Sequence, residues 1–478
     1  MSKVLFPIFL AGALLFTGHL SAQLSGKWFA ILDAMGTKLP MQLDLHQDSG
    51  NWSGTMSDPT VANRRFEMQD ITFDGKKVTY AVKMLGITFS GVQDGKEIRG
   101  IFNQANTDFP LTFTRHRPDG YPVEEGAITI VRREQEPTEF PYQQVSVSYA
   151  GGADSVTLAG ELTLPKDEKP RALVVLVSGS GPQDRNAYLG SQINHSPFLV
   201  LSDFLTRKGY GVLRYDERGV GESTGNYATA TTMDLAKDAW AGVRHLRTLP
   251  GLGEVPIGMA GHSEGGIIAP IVAAADGNLA FAMLLAGPGV PIDSLMLEQR
   301  RLVTKAMGVP AAVTQRDEPA LRAAYHWIGE NTHLNQEEYV EGLYELFAEQ
   351  IKKLPEPMQK SIVDVRLFNS QYVKPLSSPW MRYFLAFNPQ EYLRQLTVPT
   401  LAINGTNDLQ VPAMMNLNAI SEALAVAGNQ DVTVVPLIGL NHLFQPAETG
   451  AVSEYGTIET TFDPAALEVI GNWLAERF

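Results

Sequence analysis

Residues 256–269 read Pro-Ile-Gly-Met-Ala-Gly261-His262-Ser263-Glu264-Gly265-Gly266-Ile-Ile-Ala, and this stretch governs how the rest of the chain is understood. An apolar run of strand character enters, a serine stands at the turn, and an apolar run of helical character leaves. One glycine would serve an ordinary turn. Three argue for backbone packed so closely that side chains at 261 and 265 would collide. A strand-to-helix turn of the pattern G-x-S-x-G lifts a serine above a sheet edge, at a helix N-terminus whose N–H groups favour developing negative charge. The plainer alternative is a glycine-rich helix start with a capping serine and no chemistry. Pro270 removes a helical hydrogen bond and predicts a kink in that helix.

Working outward, strand-like and helical runs alternate from about residue 146, the signature of a mostly parallel sheet covered by helices. Residues 173–177 form a Leu/Val run suited to a strand buried on both faces. A helix is expected over 198–208, a strand over 211–215, and a helix whose apolar side carries Leu235, Trp240, Val243 and Leu246. Thr231 with Asp234 three residues on gives that helix a capping-box-like start. Further strands are expected at 281–285, 400–403 and 432–435, and a last amphipathic helix from Pro464 to about Glu476. Residues 293–396 interrupt the alternation with helical runs at 294–307, 320–328 and 336–351, and are read as a helical lid inserted in the core. The expected fold class is therefore α/β, with core segments at 146–292 and 397–478 flanking the lid.

A serine hydroxyl needs a base to accept its proton, and a histidine base needs an acid to hold its tautomer. In folds built around this turn, the chain order is serine, acid, histidine. Asp408 follows the strand at 400–403, and His442 follows the strand at 432–435, so Ser263, Asp408 and His442 would meet at one sheet edge. Singly, Asp408 is an ordinary turn aspartate and His442 a surface histidine; their joint order and placement carry the inference. Asp293 is the fallback acid. The carbonyl oxygen of an acyl substrate also needs donors as it becomes an oxyanion. The backbone N–H of Glu264 is one, and Ser180 in Ser178-Gly179-Ser180-Gly181-Pro182-Gln183-Asp184-Arg185 is the preferred second, with Gly181 behind it. Gly179-x-Gly181 after a strand could also open a dinucleotide site, but Asp184 stands where the third glycine belongs. Arg185 and Asp184 are expected to pair and fix this loop, with contact to substrate as the alternative.

Residues 23–115 follow a different rhythm. Alternation at 41–45, 78–82 and 111–113 is punctuated by Asp48-Ser49-Gly50, Asp74-Gly75 and Asp94-Gly95, as in antiparallel hairpins. Six or more short strands at this spacing suggest a small antiparallel barrel or sandwich. Residues 116–145, with Pro118, Pro122, Pro137 and Pro141, read as a linker. Ahead of all this, Lys3, an apolar run from Val4 to Phe16 and Leu20-Ser21-Ala22 have the layout of a signal peptide cleaved after Ala22. The apolar run is shorter than the ~20 residues needed to span a bilayer. An exported chain, periplasmic or secreted from a bacterium, is expected.

Lys and Arg number 38 against 52 Asp and Glu, a net charge of −14, which argues against a nucleic-acid binder. No cysteine is present, so a disulfide framework, a thiolate metal site and a cysteine nucleophile are all excluded.

SGSGPQDR at 178–185, YDERGVGES at 215–223, GHSEGG at 261–266, NGTNDLQVP at 404–412 and Asn441-His442 together resemble the α/β-hydrolase superfamily. They are most similar to bacterial carboxylesterases of its serine-aminopeptidase-like branch. Gly26-Lys27-Trp28 and the strand rhythm of 23–115 resemble lipocalin-like β domains that precede some bacterial hydrolases. The resemblance implies cleavage of small acyl esters through an acyl-enzyme, with no metal or cofactor and a small-molecule substrate. It implies structural roles for Asp216, Arg218 and Gly221. The same three groups would also serve a serine aminopeptidase or a thioesterase. An amine-binding acid for the former would come from exposed lid carboxylates such as Glu341 or Glu345. A non-enzymatic alternative is a ligand-binding protein that uses its β domain.

Overall fold

The computed structural model describes residues 24–34, 37–48, 51–57, 65–83, 86–104, 107–118, 121, 135–190 and 193–478. The expected signal peptide and half of the expected linker lie outside them. Two compact units divide the chain: the described residues of 1–126 with 354–368, and those of 127–353 with 369–478.

In the first unit, nine antiparallel strands form one sheet: β1 (Gly26–Ala34), β2 (Thr37–Asp48), β3 (Asn51–Ser57), β4 (Arg65–Glu67), β5 (Gln69–Phe73), β6 (Lys77–Val82), β7 (Ile87–Asp94), β8 (Glu97–Gln104) and β9 (Thr107–Thr114). The order is β4-β3-β2-β1-β9-β8-β7-β6-β5, so the two edge strands are neighbours in sequence. Only Met68 separates them, donating its N–H to Gly54 O on β3 at 2.9 Å, so one segment pairs with β3 at its start and β6 at its end and nearly closes the sheet into a barrel. Closure removes edges that would otherwise recruit other strands. Along β7 the residues alternate strictly between buried and exposed, the pattern of a strand with one face inward. Trp28, Phe89, Phe102, Phe113 and Leu43 fill the interior. Arg115 lies 3.8 Å over the Trp28 ring and donates to Lys27 O and Ser25 O, covering one end.

In the second unit an eight-stranded sheet runs β10-β11-β13-β12-β14-β15-β16-β17. The hairpin β10 (Gln143–Ala150) and β11 (Thr157–Leu164) is antiparallel and begins inside the expected linker. The parallel strands β12 (Leu173–Val177), β13 (Gly211–Tyr215), β14 (Ile257–His262), β15 (Ala282–Leu285), β16 (Thr400–Gly405) and β17 (Val432–Leu437) follow the sequence reading closely. Helices α1 (Pro197–Arg207), α2 (Thr232–Thr248) and α3 (Gly265–Asp276) link the first of these strands, and α2 opens on the Thr231–Asp234 capping box. Helix α3 continues through Pro270. Between β15 and β16 the chain forms seven helices, α4 (Ile292–Ala306), α5 (Ala311–Glu330), α6 (Gln336–Ile351), α7 (Glu356–Ser361), α8 (Val365–Leu376), α9 (Pro379–Leu385) and α10 (Gln390–Leu393), of which α7 and the first turn of α8 are counted with the first unit. Helix α11 (Ala413–Val426) connects β16 to β17, and α12 (Pro464–Ala475) ends the chain. Apolar side chains pack on both faces of this sheet, as a parallel sheet requires.

Candidate active site

Ser263 sits between β14 and α3 with φ of 54°, a left-handed conformation that costs a non-glycine residue roughly 1–3 kcal/mol. Its neighbours hold it there: Ser263 N–H donates to Leu285 O and Ser263 O accepts from Gly266 N–H, both at 2.9 Å. The glycines answer for the rest. A Cβ on Gly261 would lie 1.9 Å from Gly265 O, and one on Gly265 would lie 2.2 Å from Val177 O. A Cβ on Gly266 would come within 2.6 Å of Gly287 Cα. The sharp turn exists because strand, helix and neighbouring strands share space that only hydrogen can occupy.

Asp408 follows β16 and His442 follows β17, and their side chains meet at 2.7 Å through His442 Nδ1 and Asp408 Oδ2. Both are nearly fully buried. The other carboxylate oxygen of Asp408 accepts the N–H groups of Gln410 and Val411 at 2.7 and 2.8 Å. The carboxylate is thereby locked in orientation, and Nδ1 must carry the proton it shares with it, which leaves Nε2 of His442 as an acceptor. Asn441 shapes the loop, its Oδ1 accepting from Leu443 N–H and Gln445 N–H. Asp293, the fallback acid, lies in the first turn of α4 and bonds Ser294.

His262, which sequence reasoning left without a role, reaches back to this loop. Its Nε2 is 2.8 Å from His442 O, and its ring centroid is 4.8 Å from that of His442. Burial, with the neighbouring His442 second, pushes its pKa down to about 3. It is therefore a neutral imidazole whose Nε2–H donates to the carbonyl.

The loop after β12 abuts the turn, since a Cβ on Gly179 would come within 3.0 Å of Ser263 Cβ. Gly181 N–H donates to the Tyr227 hydroxyl at 2.9 Å, so of the two expected donors in this loop Gly181 is engaged elsewhere. Arg185 pairs with Asp216 through Nε and Nη2 at 3.0 and 2.6 Å and with Glu222, rather than with Asp184. Asp184 instead accepts from the N–H groups of Asn186 and Tyr188. The expected loop-fixing pair is thus replaced by a partner across the fold, because Asp216 is held beside the loop by β13. Arg218 is likewise paired, with Asp238 at 2.6 Å. Gly221 has φ of 53°, and a Cβ there would meet Asp216 Oδ2 at 2.4 Å.

Two buried acids flank the site. Glu264 accepts from Thr232 Oγ1 at 2.6 Å and from the indole Nε1–H of Trp380 on α9 at 2.9 Å. Burial raises its pKa despite these donors. Glu217 bonds Ser178 Oγ at 3.0 Å and Gln183 N–H at 2.9 Å, and burial pushes its pKa up to about 8. An acid raised in the fold stabilises it fully below its unfolded pKa, and that contribution fades as pH climbs to the folded value. Relative to Glu217→Gln, wild-type protein should therefore lose melting temperature between about pH 5 and pH 8. Thermal melts across this range check it; a constant gap between the two proteins would contradict it.

Ser263, His262 and His442 line one cavity of about 310 Å³ together with Gly179 and Ser180. Leu295, Met296, Trp380, Phe384, Leu189 and Ile193 supply apolar wall, and none of the lining residues is Asp, Glu, Lys or Arg. Among the described residues, no group of three or more His, Asp or Glu could hold a metal ion, and no helix is long and apolar enough to cross a membrane.

A mostly parallel sheet with a glycine-fenced serine turn, and an acid and a histidine on the loops after its last two strands, defines an α/β-hydrolase domain. Residues 168–340 match the family model described as serine aminopeptidase, S33, and the second unit has the α/β-hydrolase fold, with a nearly closed antiparallel β barrel preceding it in sequence. Esterase EstD of Thermotoga maritima is 24% identical over 325 residues, 67% of this chain and 66% of that protein. The chain thus spans about two thirds of the length of this relative. Among solved structures, the Pyrococcus furiosus esterase Pf2001 is 18% identical with a TM-score of 0.42, covering 71% of this chain and 93% of that one. Proline iminopeptidase of Mycobacterium smegmatis is 14% identical with a TM-score of 0.41, covering 70% and 98%.

Proposed function

We propose that the protein is an exported carboxylesterase that cleaves small, uncharged acyl esters through an acyl-enzyme on Ser263. The carrying observation is the cavity that brings Ser263 and the Asp408-oriented His442 to one apolar, unionised wall. Nε2 of His442 takes the Ser263 proton as Oγ attacks the ester carbonyl. The backbone N–H groups of Glu264 and Ser180 hold the developing oxyanion. His442 then returns the proton to the leaving alkoxide, and water activated by the same imidazole releases the acid.

The lining favours esters over N-terminal amines. An aminopeptidase must desolvate an ammonium group, which needs a carboxylate partner. Glu341 and Glu345 lie on the exposed side of α6 and do not line the cavity. Glu264 is buried and already bonded. The relative's description as an esterase points the same way. A role as a barrel-based binding protein is disfavoured by an interior filled with aromatic and aliphatic side chains.

The test is a panel of p-nitrophenyl esters from acetate to palmitate beside aminoacyl-p-nitroanilides, run on protein recovered from the periplasm of a bacterial host. Ester turnover should exceed amide turnover by at least roughly 100-fold and favour the short acyl chains that fit so small a cavity. The recovered chain should begin at Gln23. Faster amide than ester turnover would overturn the esterase reading, and an unprocessed N-terminus would overturn export.

A further inference from the structure

Glu217 lies outside the catalytic cavity and belongs to none of the groups assigned so far. It is 3% exposed and follows β13 by two residues. Its two carboxyl oxygens bond the two ends of a six-residue loop: Oε1 to Ser178 Oγ at 3.0 Å, and Oε2 to Gln183 N–H at 2.9 Å. Its own backbone N–H donates to Gln183 O at 3.2 Å. Between these ends, Gln183 Nε2–H reaches Gly179 O and Ser180 O at 3.3 and 3.4 Å, and Tyr227 holds Gly181 N–H. The enclosed residues Gly179 and Ser180 line the cavity beside Ser263. A chain containing two glycines has little stiffness of its own, so its shape must be imposed from outside.

We infer that Glu217 is a positioning residue for the reaction proposed above: by clasping both ends of loop 178–183 it aims the Ser180 N–H at the developing oxyanion. This inference rests on the esterase reading. The worth of an oxyanion donor depends on being in place before charge develops, and displacement of a reacting group by about 1 Å can cost on the order of 100-fold.

The groups around Glu217 fit this task. Glu264 at the head of α3 and Asp238 on α2 disfavour a further negative charge, and burial does so more strongly. Asp238 is itself neutralised by Arg218. Tyr227 and Tyr215 are the neighbouring phenols, both with pKa values raised by burial. A clasp that keeps its proton at neutral pH organises the loop without adding an anion near the site where the substrate's own negative charge must be stabilised.

Glutamine can make the same clasp, its amide oxygen accepting from Gln183 N–H and its NH2 donating to Ser178 Oγ; alanine can make neither bond. The experiment compares full-length wild type, Glu217→Gln, Glu217→Ala, Ser178→Ala and Ser263→Ala with p-nitrophenyl acetate, well below each melting temperature. Glu217→Ala should lose kcat by about 10- to 100-fold with KM within threefold, whereas Glu217→Gln should stay within about fivefold of wild type. Ser178→Ala, which removes one of the two bonds and covers the case in which Glu217→Ala does not fold, should lose kcat about three- to tenfold. A folded Glu217→Ala with wild-type kcat would overturn the inference, as would a glutamine variant no better than alanine or an unaffected Ser178→Ala. If Ser263→Ala is inactive while the clasp variants are unaffected, only the clasp falls. If Ser263→Ala still turns over, the esterase mechanism falls with it.

Discussion

Replacing Ser263 by alanine is expected to lower kcat/KM toward a short-chain p-nitrophenyl ester by roughly 10⁴- to 10⁶-fold. The size of the loss follows from what remains. The His442–Asp408 pair and the oxyanion donors would persist, but with no hydroxyl at 263 the imidazole can only act on a water that no backbone positions. Residual turnover would then reflect charge stabilisation and binding alone. The fold should tolerate the change. Alanine at φ of 54° is strained no more than serine, and the two bonds that hold the turn come from the backbone of residue 263. Melting within a few degrees of wild type and loss of fluorophosphonate labelling are the accompanying readouts. A variant within tenfold of wild type would remove Ser263 from the chemistry.

Asp408→Asn should cost roughly 10³- to 10⁴-fold in kcat while leaving stability nearly intact, and the reason lies in which oxygen does what. Oδ1 accepts two backbone N–H groups, from Gln410 and Val411, and no NH2 group can replace it there. Asparagine must therefore put its oxygen at that position and turn its NH2 toward His442 Nδ1. The imidazole can respond only by exchanging tautomers, which places its hydrogen on Nε2 and removes the lone pair that would take the serine proton. Steady-state kcat beside a thermal melt tests this, and a loss below tenfold would mean that Asp408 is a loop anchor only. Alanine at 408 would be a poorer test, because it also leaves two buried N–H groups without acceptors.

Much of this arrangement is legible in the sequence. A strand buried on both faces announces itself as an unbroken Leu/Val run at 173–177, and 211–215 is matched as closely although its Val212-Leu213 core is flanked by Gly211, Arg214 and Tyr215. The order serine, acid, histidine, each one loop beyond a strand, pointed to Asp408 and His442 for the same reason. What stayed hidden depends on partners far away in sequence. Glu217 and Glu264 sit in polar, glycine-rich stretches that look like solvated turns, and nothing local says that either is buried. Arg185 has Asp184 beside it in sequence, yet its guanidinium reaches Asp216 because β13 carries that carboxylate to the loop. The hairpin β10–β11 escaped notice because the outer strand is largely exposed and lacks a continuous apolar run. His262 occupies a position where the motif tolerates any residue, so its bond to His442 O had no signal in the pattern.

The bond between Trp380 and Glu264 has a bearing on how substrate gets in. Helix α9 contributes Trp380 and Phe384 to the cavity wall, and Trp380 is also fastened to the carboxyl of Glu264, next to Ser263. Swinging α9 outward as a flap would strip a buried carboxyl of a donor, at a cost of about 1–3 kcal/mol. A flap at α9 is therefore disfavoured, and the helix stands as a fixed post in the cavity wall.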